Sequence, residues 1–270
     1  MDHSVLIAFG LTLFAGLSTG IGSAIAFFSK RTNTSMLSLS LGLSAGVMIY
    51  ISFVELYAAS LASMADIYGK SMGHLYALLS FFGGILLIMV IDLLVPERDN
   101  PHEIVEVEMM NQPHNPTPLS TSALARTGLI SAVVIAIHNF PEGMVTFLTA
   151  LEEPALGLPI AIAIAIHNIP EGISVSVPIY YATGNRAKAF WISFSSGLAE
   201  PLGALFGYLL LRPYLTPSLF GVLNAMIAGI MVYISLDELL PAAEKYGKHH
   251  LAIIGVIAGM LIMALTLVIL

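Results

Sequence analysis

Two short motifs carry most of the chemistry open to this chain. His138-Asn-Phe-Pro-Glu142-Gly143 and His167-Asn-Ile-Pro-Glu171-Gly172 repeat one pattern, and a third carboxylate, Glu200, sits in Gly197-Leu-Ala-Glu200-Pro201. On a helix, residues three and four apart share a face, so His138, Asn139 and Glu142 look one way, as do His167, Asn168 and Glu171. The set is two imidazoles, two amides and three carboxylates, with no thiolate because the chain has no Cys. Such nitrogen and oxygen donors suit Zn²⁺ and Fe²⁺, and also accept Mn²⁺ or Co²⁺. They are poor for Ca²⁺ or Mg²⁺, which take oxygen alone, and for Cu⁺, which takes sulfur. Three neighbouring carboxylates in a low dielectric cannot all stay ionised without a counter-charge. One divalent cation, or two sharing Glu142 and Glu171, would supply it, and the same groups can exchange protons when the metal leaves.

Proline stands beside each Glu: Pro141, Pro170 and Pro201. Inside a helix each proline frees the carbonyl four residues back, that of Ile137, Ile166 or Gly197. At membrane depth a freed carbonyl survives only within protein or at a wet cavity, where it can also face a cation. Gly143, Gly172, Gly197 and Gly203 would let backbones approach closely there.

The elements holding these residues are set by composition. The 270 residues are 57% hydrophobic and 10% charged, against about 25% charged in a typical soluble chain. That excludes disorder, and the absence of Cys excludes a disulfide scaffold and a cysteine nucleophile. Ten Lys+Arg against 17 Asp+Glu argue against a nucleic-acid partner. What remains is an all-α membrane protein whose partners are the lipid bilayer and divalent metal ions. A span needs roughly 20 apolar residues. Eight candidates have that length, at about 4–28, 36–62, 72–95, 127–150, 156–182, 189–211, 218–243 and 251–270. The first lacks a basic leader and reads as a retained span rather than a signal peptide. Lys30, Arg31, Arg98, Arg126, Arg186, Lys188, Lys245 and Lys248 fall on one side, and only Lys70 and Arg212 on the other. By the positive-inside rule the first side is cytoplasmic and both termini lie outside, in the cytoplasmic (inner) membrane. Residues 1–270 then form one transmembrane domain. Its longest connection, 96–126, is rich in proline and acids and reads as a flexible cytoplasmic loop.

Internal similarity refines this. Ala45-Gly-Val-Met-Ile-Tyr-Ile-Ser-Phe-Val-Glu55 recurs as Ala228-Gly-Ile-Met-Val-Tyr-Ile-Ser-Leu-Asp-Glu238, and more weakly Gly16-Leu-Ser-Thr-Gly-Ile-Gly22 as Gly197-Leu-Ala-Glu-Pro-Leu-Gly203. With the His motifs, these pair spans 1, 2 and 4 with spans 6, 7 and 5. Partners an odd number of spans apart run in opposite directions, which is an inverted-topology repeat.

The tandem His-Asn-x-Pro-Glu-Gly motifs with the Glu200-Pro segment resemble the ZIP family of divalent-metal transporters, in its bacterial ZupT-like branch. The resemblance extends over essentially the whole chain. It implies a 3+2+3 inverted repeat of eight transmembrane helices, with a binuclear site between spans 4, 5 and 6. One metal position would use His138, Glu142, His167 and Glu171; the other Asn139, Glu142, Asn168, Glu171 and Glu200. Some family members carry Gln-Asp where this chain has His167-Asn168, so stoichiometry and selectivity do not transfer. The branch implies a broad substrate range: zinc and iron, with manganese, cobalt and cadmium among the candidates. Zn²⁺ and Fe²⁺ would be cargo rather than cofactor.

Other residues carry weaker signals. Met48, Ser52 and Glu55 share a face of span 2, where Met48 is a soft ligand or a packing residue. Glu55, Asp237 and Glu238 read as gate charges or as interfacial carboxylates, and Asp92 as interfacial. His249 and His250, like His102 and His114 of the long loop, receive metal or simply face water. Trp191, Tyr180 and Tyr181 fit an aromatic belt. An intramembrane metalloenzyme is the rival class. The chain has neither the His-Glu-x-x-His of a zinc protease nor the Glu-x-x-His pairs of di-iron enzymes. The sequence leaves the oligomeric state open, a homodimer included.

Overall fold

A computed structural model describes residues 3–28, 34–93, 118–152, 154–214, 216–246 and 249–269. Among these, eight long helical runs form and no strand. They are α1, His3–Phe28; α2, residues 34–68; α3, Lys70–Leu93; α4, Pro118–Glu152; α5, Pro154–Thr183; α6, Arg186–Leu211; α7, residues 217–246; and α8, His249–Ile269. Six of them, all but α4 and α5, contain stretches long and apolar enough to cross a bilayer, and α5 holds the shorter apolar stretch Gly157–Ile173. The chain is therefore a multi-pass, all-α membrane protein.

Local sequence explains where the helices stop. Gly69 and Gly184, at φ +77° and +62°, make the tight turns from α2 to α3 and from α5 to α6, a left-handed conformation that side-chain-bearing residues avoid. The Asn185 side chain accepts from the Lys188 amide at 3.0 Å and caps α6, and Thr216, before Pro217, caps α7. The expected loop between spans 2 and 3 shrinks to Gly69. Helix α4 begins at Pro118, so residues 118–126 are helix rather than the flexible loop expected there. Proline is tolerated in a first turn, and nothing in Leu119–Arg126 breaks a helix. The rest of that loop, 96–117, lies outside the described residues.

Two helices carry matched irregularities. A π turn, Ser52–Tyr57, interrupts α2, and a second, Ser235–Leu239, interrupts α7 at the aligned place of the sequence repeat. At both, the serine hydroxyl returns to the carbonyl four residues back, Ser52 to Met48 at 2.6 Å and Ser235 to Met231 at 2.7 Å. Each turn carries a half-buried Glu, Glu55 or Glu238.

Packing is matched in the same way. Helix α1 lies along α5, α2 along α8, α3 along α7, and α4 against both α5 and the second half of α6. Glycines make these approaches close, since a Cβ would strike a carbonyl of the neighbouring helix. Gly22 faces the Ile169 carbonyl and Gly203 that of Phe140; Gly46 faces Val256 and Gly229 faces Phe81; Gly143 faces Glu200 and Gly172 faces Thr19. In the first and third pairs both the glycines and the carbonyls they meet are aligned partners in the repeats; in the second the glycines are aligned and the carbonyls lie on α8 and α3. Helices α1, α4, α5 and α6 thus converge on the middle of the bundle, where the ionisable residues sit.

Candidate metal centre

The site is assembled from three helices, with a fourth closing it. Pro141 and Pro170 lie within α4 and α5 without stopping them, so each helix presents its His, Asn and Glu on one inward face. Helix α6 behaves differently: it breaks at Leu198 and restarts at Ala199, which sets Glu200 in the first turn of its second half. His138, Asn139, Glu142, His167, Asn168, Glu171 and Glu200 are all buried, none more than 2% exposed.

The structure brings the ionisable groups together in a crossed pattern. His138 Nε2 lies 3.3 Å from Glu171 Oε1, and His167 Nε2 lies 3.2 Å from Glu142 Oε2. Each imidazole therefore meets the carboxylate of the other helix rather than its own.

The two amides are held by backbone. Asn139 Nδ2 donates to the Ser196 carbonyl of α6 at 3.4 Å, and Asn168 Nδ2 donates to the Ala15 carbonyl of α1 at 2.9 Å and to Glu200 Oε1. Anchoring the nitrogen fixes which end of each amide is which. Both Oδ1 atoms are left buried and without a hydrogen-bond partner among the described residues, as are His138 Nδ1, His167 Nδ1, Glu142 Oε1 and Glu200 Oε2. Burying so many polar atoms costs free energy unless something bonds them. A cation would take the oxygens.

Beneath the site a serine pair ties three helices: Ser23 of α1 donates to Ser193 of α6 at 2.7 Å, and Ser193 donates to the Gly172 carbonyl of α5 at 2.8 Å. The Ser44 hydroxyl of α2 reaches the His167 carbonyl at 3.3 Å. Among the described residues no Lys or Arg is buried, so neither balances the three acids. Nor, among them, are three His, Asp or Glu side chains grouped as they would be around one ion. The imidazoles and the two central carboxylates face one another at 3.2–3.3 Å, about the separation of two ligands on one tetrahedral zinc ion.

A family model described as ZIP zinc transporter matches residues 96–267, which includes all seven of these residues. Zinc transporter ZupT of Nitratidesulfovibrio vulgaris is 58% identical over 270 residues, covering 98% of each chain. The proteins of the same name from Chlorobium chlorochromatii and Lysinibacillus sphaericus are 56% and 54% identical, covering 98% or more of each chain. The chain belongs to the ZIP zinc transporter family. As a ZIP member it is a membrane transporter and not an enzyme.

The remaining candidates fall around the ZIP core. Met48 is fully buried within the apolar core, where it packs. The Tyr233 hydroxyl of α7 donates to Asp92 Oδ2 at 3.5 Å, which ties α3 to α7. His249 Nδ1 meets Glu244 Oε1 at 2.7 Å on an exposed surface, away from the buried site. Trp191 is exposed beside Phe190 and Phe194, and the Arg186 guanidinium lies over the Tyr180 ring. Three parts of the site were not anticipated: the Ala15 and Ser196 carbonyls and the Ser23–Ser193 pair. A backbone acceptor has no residue type to read. The serines had a signal only in being polar residues within apolar spans.

Proposed function

We propose that this protein takes up divalent transition-metal cations, zinc and iron with manganese, cobalt and cadmium, across the cytoplasmic membrane into the cytoplasm. The eight helices are the eight spans, arranged 3+2+3 as an inverted repeat with both termini outside. The paired glycine contacts and the twin π turns support that arrangement, and the cation count of the connections supports the orientation. The ion binds between α4, α5 and α6. One position uses His138, Glu142, His167 and Glu171; a second uses Asn139, Asn168 and Glu200 with the same two central carboxylates. The observation that carries this reading is the pair of amides pinned by their nitrogens, which leaves both Oδ1 atoms buried and unbonded in an interior that also holds three buried carboxylates and, among the described residues, no buried Lys or Arg. Zinc comes first because the relatives at 54–58% identity are named zinc transporters.

The test is uptake into proteoliposomes of radioactive zinc, in competition with Fe²⁺, Mn²⁺, Co²⁺ and Cd²⁺, under an imposed pH gradient. Glu142→Ala and Glu171→Ala each abolish uptake while the protein still inserts in the membrane. Normal uptake by either variant refutes the site assignment.

A further inference from the structure

The site is not symmetric, and the asymmetry singles out a residue on α1. In the repeat that aligns Gly16–Gly22 with Gly197–Gly203, Thr19 is the counterpart of Glu200. The structure treats them as counterparts too: Gly143 of α4 packs on the Glu200 carbonyl and Gly172 of α5 on the Thr19 carbonyl. Thr19 is fully buried, and its hydroxyl has no hydrogen-bond partner among the described residues.

That orphaned hydroxyl is unusual for its setting. A Ser or Thr inside a helix ordinarily donates to the carbonyl four residues back. Thr12 does so to Ala8, Ser52 to Met48, and Thr146 to Glu142. The equivalent acceptor for Thr19 is the Ala15 carbonyl, and that carbonyl takes Asn168 Nδ2, the amide that also bonds Glu200. Thr19 lies against Gly197, one turn from Glu200 on α6; a Cβ there would come within 2.7 Å of Thr19 Oγ1. Two other buried hydroxyls lack partners, Ser38 and Thr149, but neither adjoins this amide and carboxylate in the contacts described.

We propose that Thr19 Oγ1 is an oxygen donor to the ion at the second position, the one assigned to Asn139, Asn168 and Glu200. The inference rests on the binuclear reading above. A neutral hydroxyl where the repeat would place another carboxylate limits the fixed negative charge to what divalent ions can neutralise.

The test titrates zinc into the purified full-length protein in detergent, against a chromophoric chelator at fixed pH. Wild type binds two equivalents. Thr19→Val keeps the shape and removes the oxygen, so one equivalent weakens by about tenfold, a loss of the order seen when a group supporting a metal ligand is removed. The other equivalent is unchanged, and Thr19→Ser restores both. X-ray absorption of the bound zinc shows one oxygen fewer in the Val variant. Metal-free Thr19→Val unfolds at or above the wild-type temperature, because an unbonded buried hydroxyl has been removed. Wild-type binding in Thr19→Val overturns the proposal. So does loss in Thr19→Ser equal to that in Val, which would mark a packing role. Unaltered binding in Glu171→Ala instead refutes the site reading itself, and the Thr19 proposal with it.

Discussion

Asn168→Asp puts the site's logic to its sharpest test, because the change is nearly isosteric and reverses the polarity of one atom. Asn168 Nδ2 donates to the Ala15 carbonyl and to Glu200 Oε1. An ionised carboxyl group there sets oxygen against oxygen at both contacts and adds a fourth acid to a buried cluster with no buried Lys or Arg among the described residues. Each donor lost to a buried acceptor costs about 1–3 kcal/mol, so two lost bonds cost about 2–6 kcal/mol in the metal-free protein. If the new group keeps its proton it preserves one of the two bonds, and the cost falls to about half. At the conversion measured for soluble domains this lowers the unfolding temperature by roughly 5–20 °C. Zinc reverses the sign of the argument, since the ion bonds the new oxygens and supplies the missing charge. Thermal unfolding of the detergent-solubilised protein in chelator and in excess zinc measures both effects. Asn168→Asp is expected to lose stability in chelator and to gain more from zinc than wild type does. A variant as stable as wild type in chelator, or with no larger response to zinc, would show that Asn168 does not hold these contacts beside an ion.

Other outcomes follow from packing and protonation. Gly203→Ala places a methyl group against the Phe140 carbonyl, where backbone must shift, and is expected to cost about 1–3 kcal/mol in thermal unfolding. Gly83→Ala meets nothing within 4 Å and gains helix propensity, so it is expected to be neutral or up to about 1 kcal/mol stabilising in the same assay. Protons compete with the ion for the imidazoles and carboxylates, so zinc affinity falls as pH is lowered. Titration of zinc binding from neutral to acidic pH checks the sign, and affinity that rises on acidification would contradict these ligands.

The helices were legible because a bilayer demands long apolar runs, and the His-Asn-x-Pro-Glu-Gly motifs because charge inside such runs has few bland explanations. Gly22, Gly46, Gly203 and Gly229 were visible as residues, but which carbonyl each one meets depends on three-dimensional pairing. The end of the long loop was misread because Pro118 and the polar residues after it look like linker in composition, while a proline in a helix's first turn is tolerated. The seven candidate residues were picked out by type and spacing, and the structure buries all of them. Their crossed pairing was not: periodicity places His138 and Glu142 on one face of one helix and is silent on which neighbour each meets. The Ala15 and Ser196 carbonyls that turn the two amides could not be read at all, since every residue has a carbonyl. Thr19 was visible only through its alignment with Glu200.

If the proposed uptake runs as a carrier cycle, the protein must also return without its cargo. Moving an empty site of bare carboxylates through a low-dielectric interior would be far costlier than moving a loaded one. The crossed contacts, His138 to Glu171 and His167 to Glu142, let the protein close its own circuit. With a proton on each imidazole, two of the three acids are neutralised by partners that travel with them, and Glu200 rests on the Asn168 amide. The residues proposed to grip the ion would thus also stand in for it. The same crossed contacts that space nitrogen and oxygen as an ion would need them make the unladen half of the proposed cycle less costly.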